Sequence, residues 1–173
     1  MPRNVEIKAL VKNFDALRAK AAKLARAEGT LIKQADTFFV VPNGRLKLRE
    51  LEGSEAQLIY YERPDAVGPK LSNYSISPVN NPQSLKHTLG QALGIVGEVK
   101  KERWLYLVGN TRIHCDRVQF IGDFMELEVV LDQQQQLEEG DIIAKDLMEK
   151  LGVEEKDLVH GAYMDIILSK IKN

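Results

Sequence analysis

The sequence predicts an α+β domain on a mainly antiparallel sheet, and three observations carry that prediction. Its strand-like runs are short and separated by turn residues, notably Pro42-Asn43-Gly44, Gly53, Gly109-Asn110 and Gly122-Asp123. The elements follow as strand, helix, three strands, loop, weak strand, helix, three strands and two helices, so neighbouring strands are joined by hairpins. Several of the strands alternate a charged face with an apolar one.

In order, Val5, Ile7 and Ala9 alternate with Asn4, Glu6 and Lys8 in the first strand. Asn13 is placed to cap a helix over Phe14 to Glu28, with Phe14, Leu17, Ala21 and Leu24 as its apolar stripe and Gly29 as its stop. Thr30 to Val41 is β-prone, and after Pro42-Asn43-Gly44 the run Arg45 to Leu51 is its return arm. Ala56 to Arg63 is the next strand, Pro64 to Lys70 a loop, and Asn73 to Val79 a short strand. Asn80-Asn81-Pro82 starts a helix that Gly94 ends. Strands are predicted over Ile95 to Val108, Thr111 to Val118 and Phe124 to Leu131. Gln133 to Gln136 form a polar connector, Asp141 to Leu151 an amphipathic helix closed by Gly152, and Tyr163 to Ile171 a terminal helix.

Composition bounds the function. A chain of 173 residues suits a single domain spanning 1–173. With 44% hydrophobic and 28% charged residues it is built to fold, and a net charge of −1 argues against a nucleic-acid module. The single cysteine, Cys115, excludes an internal disulfide and the usual zinc spacings. With no apolar signal core and no membrane-length run, a soluble cytoplasmic protein without a membrane partner is expected.

The charged faces are the informative feature. In Gly44-Arg45-Leu46-Lys47-Leu48-Arg49-Glu50, a period of two sends Arg45, Lys47 and Arg49 to one side and the leucines to the other. Lys101 and Arg103 share a face, Arg112, His114 and Asp116 another, and Glu126 and Glu128 a third, opposite Met125, Leu127 and Val129. The ordinary reading is a sheet with one solvated face. Against it, the signs are segregated by strand, and two glutamates stand in an otherwise hydrophobic strand. Cations for phosphate oxygens and carboxylates for a hard metal ion are the parts of a polyphosphate site.

These motifs, together with Val5-Glu6-Ile7-Lys8, resemble in order the strand motifs of the CYTH superfamily, the triphosphate tunnel metalloenzymes. The resemblance implies an eight-stranded antiparallel β-barrel open at both ends, with helices packed outside and charged faces turned inward. It implies Glu6, Glu126, Glu128 and additionally Asp116 as ligands of Mg²⁺ or Mn²⁺. It implies Lys8, Arg45, Lys47, Arg49, Lys101, Arg103 and Arg112 on the triphosphate, and Glu6, Lys8, Glu126 and Glu128 as the catalytic centre. The partner is then a small-molecule triphosphate or polyphosphate.

Three positions depart from the family pattern. Asn4 stands where the first glutamate of a Glu-x-Glu-x-Lys strand is expected, which predicts weaker metal binding. Phe38-Phe39 follows the Asp-Thr after which thiamine triphosphatases carry a tyrosine, and phenylalanine moves no proton. Glu62 occupies a position that often carries lysine, with Arg63 or Lys70 as compensators. His114 is read as a lumen hydrogen-bond partner, with a catalytic role as the alternative. His87 and His160, near helix ends, are expected on the surface. Cys115 and Tyr163 are expected in the core, with a tunnel mouth as the alternative for Tyr163, and Trp104 and Tyr106 beneath an outer helix. The activity expected is metal-dependent triphosphate hydrolysis. The alternatives are a class IV adenylyl cyclase and a non-catalytic polyanion binder.

Overall fold

Each strand has an apolar face that must leave water, and the sheet manages this by curling so that helices cover its outside. In the computed structural model, which describes residues 2–62 and 68–172, eight strands form one closed barrel. They are β1 (Arg3–Leu10), β2 (Thr30–Phe39), β3 (Arg45–Leu51), β4 (Ala56–Glu62), β5 (Lys70–Val79), β6 (Ile95–Val108), β7 (Thr111–Val118) and β8 (Gly122–Leu131). Their order around the barrel is β1-β5-β4-β3-β2-β6-β7-β8, and every pairing is antiparallel.

The seam is the part that alternation hid. Strand β5 begins at Lys70 instead of Asn73, and Lys70, Leu71 and Ser72 pair with Glu6, Val5 and Asn4. These residues follow Gly68-Pro69 and lack β-branching, so their strand character comes from closing the barrel. The expected loop residues 63–67, Arg63 among them, lie outside the described residues.

The main hydrophobic core lies outside the lumen. Val5, Ile7, Ile113, Cys115, Met125, Leu127 and Val129 are fully buried under α1 (Phe14–Ala25) and α3 (Leu137–Lys150). Burying each aliphatic side chain stabilises the fold by about 1.5–3 kcal/mol, so this layer sets the inward direction of the opposite faces. Trp104 packs edge-on against Phe14 at 5.5 Å, and the Tyr106 hydroxyl accepts from Arg18 Nε at 3.1 Å, beneath α1 as expected. Gly140 lets α3 sit tight, since a Cβ there would meet Val5 Cγ2 at 2.6 Å.

Two helix ends differ from expectation. Asn13 caps α1 through Ala16 N at 3.0 Å, but the helix ends at Ala25 because Arg26 turns left-handed at φ 55. Gly29 instead passes against Tyr106, whose ring a Cβ would meet at 2.5 Å. Helix α3 starts at Leu137, not Asp141, because Gln136 of the connector forms a capping box with Glu139. Helix α2 (Pro82–Leu93) has the expected bounds and buries no residue. His87, in the middle of α2, and His160 are exposed.

The C-terminal segment breaks the outside-helix pattern. After a 3-10 turn (Glu155–Asp157) the chain bridges Leu158 to Ala9, and Val159 N donates to Lys8 O at 3.0 Å. Helix α4 (Tyr163–Lys172) then starts with Tyr163 inside the barrel. No helix among the described residues is long and apolar enough to cross a membrane.

Candidate active site

The lumen holds a cavity of about 230 Å³, and its lining divides into three sectors. Strands β1 and β8 present Glu6, Glu126 and Glu128 together with Lys8, and Arg112 of β7 stands beside them. Strands β2, β3 and β6 present Lys47, Arg49, Lys101 and Arg103 around Asp36. Strands β4 and β5, between the two charged sectors, are uncharged, with Gln57, Ile59, Tyr61, Ser72, Tyr74 and Ile76. Six cations face four carboxylates across the cavity, a positive excess in a chain whose net charge is −1.

Pairing register fixes these contacts. Arg103 lies opposite Asp116 on β7, and its Nε and Nη2 donate to the carboxylate at 2.7 and 2.8 Å. Arg103 Nη2 also reaches Glu126 Oε2 at 2.6 Å, and Lys8, opposite Glu126, lies 3.9 Å from it. Burial pushes the Glu126 carboxyl up, but Lys8 and Arg103 outweigh it and hold it well below the usual range. On the other side, Asp36 lies opposite Arg49 and accepts two hydrogen bonds from it at 2.9 Å. Arg49 and Lys47 likewise overcome burial and keep Asp36 ionised.

The lysines respond in the opposite sense. Burial, and then the neighbouring Arg49, lowers Lys47 to about 7. Burial and Arg103 lower Lys101 to about 8. This lumen is short of negative charge.

Most predicted site residues meet here; Arg45 and Asp116 are placed differently, and Glu62, one of the departures, lies away from the lumen. Arg45 sits at the rim, where its Nη2 donates to Asp165 Oδ2 of α4 at 2.6 Å. Asp116 is fully buried and committed to Arg103 and to the Tyr163 hydroxyl, which donates to it at 2.8 Å. Glu62 is exposed on the outer face, since β4 turns Gln57, Ile59 and Tyr61 inward. A lysine there would not line the cavity. The compensating Arg63 is beyond the described residues, and the Lys70 side chain likewise.

The sequence reading misses Asp36 and puts the core ahead of the tunnel mouth for Tyr163. Asp36 could have been found by applying the period of two to β2, which puts Gln34, Asp36 and Phe38 on one face. Tyr163 is buried as expected, packing edge-on against Phe124 at 5.0 Å, but it also lines the cavity. Lys8 and Lys101 lie 4.2 and 4.8 Å from its ring centre, on a helix that no strand periodicity could relate to the lumen. Burial and Asp116 push its phenol well above 10, so it stays protonated.

The donor set suits a divalent cation. One ligand atom from each of His114, Glu126 and Glu128 lies within 4.8 Å of the others. Two buried side-chain atoms among the described residues lack hydrogen-bond partners, Asn4 Oδ1 and His114 Nδ1, on the strands that flank those glutamates. His114 does not line the cavity but stands beside Glu126 across the strand pair, and burial together with Arg103 lowers it to about 4, leaving a neutral imidazole. Cys115 faces the outer core, where burial raises its thiol to about 12.

A closed antiparallel barrel with an oppositely charged, polar lumen defines the class of tunnel proteins. The chain belongs to the CYTH domain family, whose sequence model matches residues 2–163. Among its relatives, adenylate cyclase CyaB of Aeromonas hydrophila is 28% identical over 140 residues, 76% of this chain and 70% of that protein. The PH1012 protein of Pyrococcus horikoshii OT3 superposes with a TM-score of 0.81 at 25% identity, over 94% of this chain and 98% of that one. HpAC1 from Hippeastrum, described with a dominant triphosphatase activity, superposes at a TM-score of 0.68 and 12% identity, over 98% and 96% of the two chains. That last likeness speaks to the fold alone.

Proposed function

We propose that this protein hydrolyses a triphosphate compound in its lumen with the help of a divalent cation. The observation that carries the reading is the positive excess of the lining, with Lys47 and Lys101 held below their ordinary pKa until an anion arrives. Lys47, Arg49, Lys101 and Arg103 grip the phosphate oxygens from one side, and Lys8 and Arg112 from the other. Asp36 and Asp116 hold Arg49 and Arg103 in fixed orientations, so the guanidinium groups are arranged before the substrate enters. Glu6, Glu126 and Glu128 would hold the cation, which would supply positive charge against the charge developing on the phosphates. Asp116, fully engaged by Arg103 and Tyr163, acts as a positioning residue here instead of the additional ligand the resemblance implied.

The second reading is a cyclase, favoured by the identity with adenylate cyclase CyaB. The two differ only in nucleophile, water or a ribose hydroxyl, and the same cations serve either.

Purified protein incubated with ATP, thiamine triphosphate or inorganic tripolyphosphate, each with Mg²⁺ or Mn²⁺, separates these readings by product. Free phosphate is the expected outcome, and pyrophosphate with cyclic AMP supports the cyclase. Tight binding without turnover would overturn both and leave a polyanion binder.

A further inference from the structure

We propose that His114 supplies a nitrogen ligand to the divalent cation of the acidic wall, making the site an imidazole-carboxylate centre that favours Mn²⁺ over Mg²⁺. The proposal rests on the reading of Glu126 and Glu128 as metal ligands, and it adds a donor and a metal preference to that reading.

The first observation is an atom without a partner. His114 Nδ1 is buried with no hydrogen bond, in a side chain only 5% exposed. A buried polar atom left in that state is a standing cost to the fold, so its retention calls for a ligand.

The second is where the atom lies. Glu128 Oε1 is 3.8 Å from Nδ1, too far for a hydrogen bond. That spacing fits two donors sharing a third atom between them. With metal bonds of about 2.1 Å to nitrogen and oxygen, donors on opposite sides of one ion stand about 4.2 Å apart. The three ligand atoms of His114, Glu126 and Glu128 span at most 4.8 Å, so a small adjustment of side chains closes the set.

The third is that the backbone fixes this grouping. His114 is paired directly with Glu126 across β7 and β8, and Arg112 with Glu128 one step along. The imidazole therefore stands beside the Glu126 carboxylate, on the same face of the sheet. Asn4, on the other flank of β8, adds a second unpartnered atom but no charge. An imidazole nitrogen among the carboxylates of Glu6, Glu126 and Glu128 departs from the all-oxygen set that Mg²⁺ demands. Mn²⁺, a first-row transition ion, accepts an imidazole nitrogen more readily than Mg²⁺ does while still taking carboxylate oxygens.

The test uses the full chain loaded with Mn²⁺ alone. Pulsed electron paramagnetic resonance of the frozen complex is expected to show coupling of the manganese spin to a directly bound nitrogen. His114→Gln should remove that coupling and weaken Mn²⁺ binding by about tenfold or more, while Mg²⁺ affinity changes by less than about threefold. The wild-type spectrum decides the matter even if the variant folds poorly, which its thermal melt will reveal. Bound Mn²⁺ without nitrogen coupling would overturn the proposal and leave His114 as a positioning residue for Glu128. Failure of the wild type to bind Mn²⁺ at all would overturn the metal reading of Glu126 and Glu128 as well, so the two failures are distinct.

Discussion

The two charged walls of the lumen carry similar side chains and are balanced in opposite ways. On the wall built by β1, β7 and β8, the buried carboxylate Glu126 already has Lys8 and Arg103 against it and is held ionised. On the wall built by β2, β3 and β6, one carboxylate, Asp36, stands among Lys47, Arg49 and Lys101, and both lysines are driven toward their neutral forms. Glu126 is thus already paired within the protein, whereas the two lysines of the basic wall are left short of negative charge. Under the proposed function, this difference assigns the triphosphate to the basic wall and the cation to the acidic one.

The largest test of this division is to neutralise the acidic wall. Glu126→Gln retains the shape and an oxygen for Arg103 but removes the charge. If Glu126 holds the cation, metal-dependent phosphate release should fall by about a thousandfold or more, with metal affinity reduced in parallel. Unchanged rates in a steady-state assay would sink the assignment of Glu126 to the metal.

Next comes the basic wall. Arg49→Ala strips Asp36, 2% exposed, of its bidentate partner and leaves a buried carboxylate facing Lys47 at 3.9 Å. Breaking a buried pair from one side costs about 3 kcal/mol or more, and the open lumen places this case at the low end. A lowered melting temperature together with weaker triphosphate binding is expected. Asp36→Asn should lower stability as well but strengthen polyanion binding, because it removes the only carboxylate of that wall among the described lining residues. If both variants lost affinity alike, the wall would be a scaffold and not the seat of the triphosphate.

Much of this division could be read from alternation, because the segregated signs of Arg45 to Arg49 and Glu126 to Glu128 follow the period of two. The ordered motifs turned that pattern into a barrel. What alternation could not supply is pairing between distant strands. The Arg103–Asp116–Glu126 chain depends on the register of β6, β7 and β8, which makes Asp116 a brace for Arg103. Arg45 obeys the alternation yet lies at the rim, because its position along the strand, beside the hairpin turn, decides its depth. Tyr163 enters the lumen from a helix end, and only the tertiary path past Ala9 and Lys8 brings it there.

A smaller effect should appear with pH. Burial and the neighbouring arginines lower Lys47 to about 7 and Lys101 to about 8, and under the proposed function both are charged when they hold phosphate. Below about pH 6 the charged forms are in place and affinity is full. As pH rises through 7 and 8, binding must draw protons back onto the amines, so affinity falls by up to about tenfold per unit for each group. Calorimetry in buffers of different ionisation enthalpy should show proton uptake on tripolyphosphate binding near pH 8. Lys47→Arg should flatten the lower part of the profile, since guanidinium stays charged. A flat wild-type profile would remove the claim that the basic wall is undercharged.

The finest distinction concerns the third, uncharged sector. Tyr61 and Tyr74, with Ile59 and Ile76 beside them, line the cavity between the two charged walls and offer nothing to a phosphate oxygen that the cations do not offer better. Such a surface has a use if the substrate carries an organic group, which would lie against the aromatic rings while its phosphates bridge the charged walls. Aromatic contacts of this kind contribute about 0.5–1.5 kcal/mol. Tyr74→Ala should therefore raise KM for ATP or thiamine triphosphate by about two- to tenfold. It should leave the KM for inorganic tripolyphosphate within about twofold, because that substrate has no group to place there. Equal losses for all three substrates would mean that Tyr74 shapes the barrel wall, and the neutral sector would then have no part in choosing between organic and inorganic triphosphates.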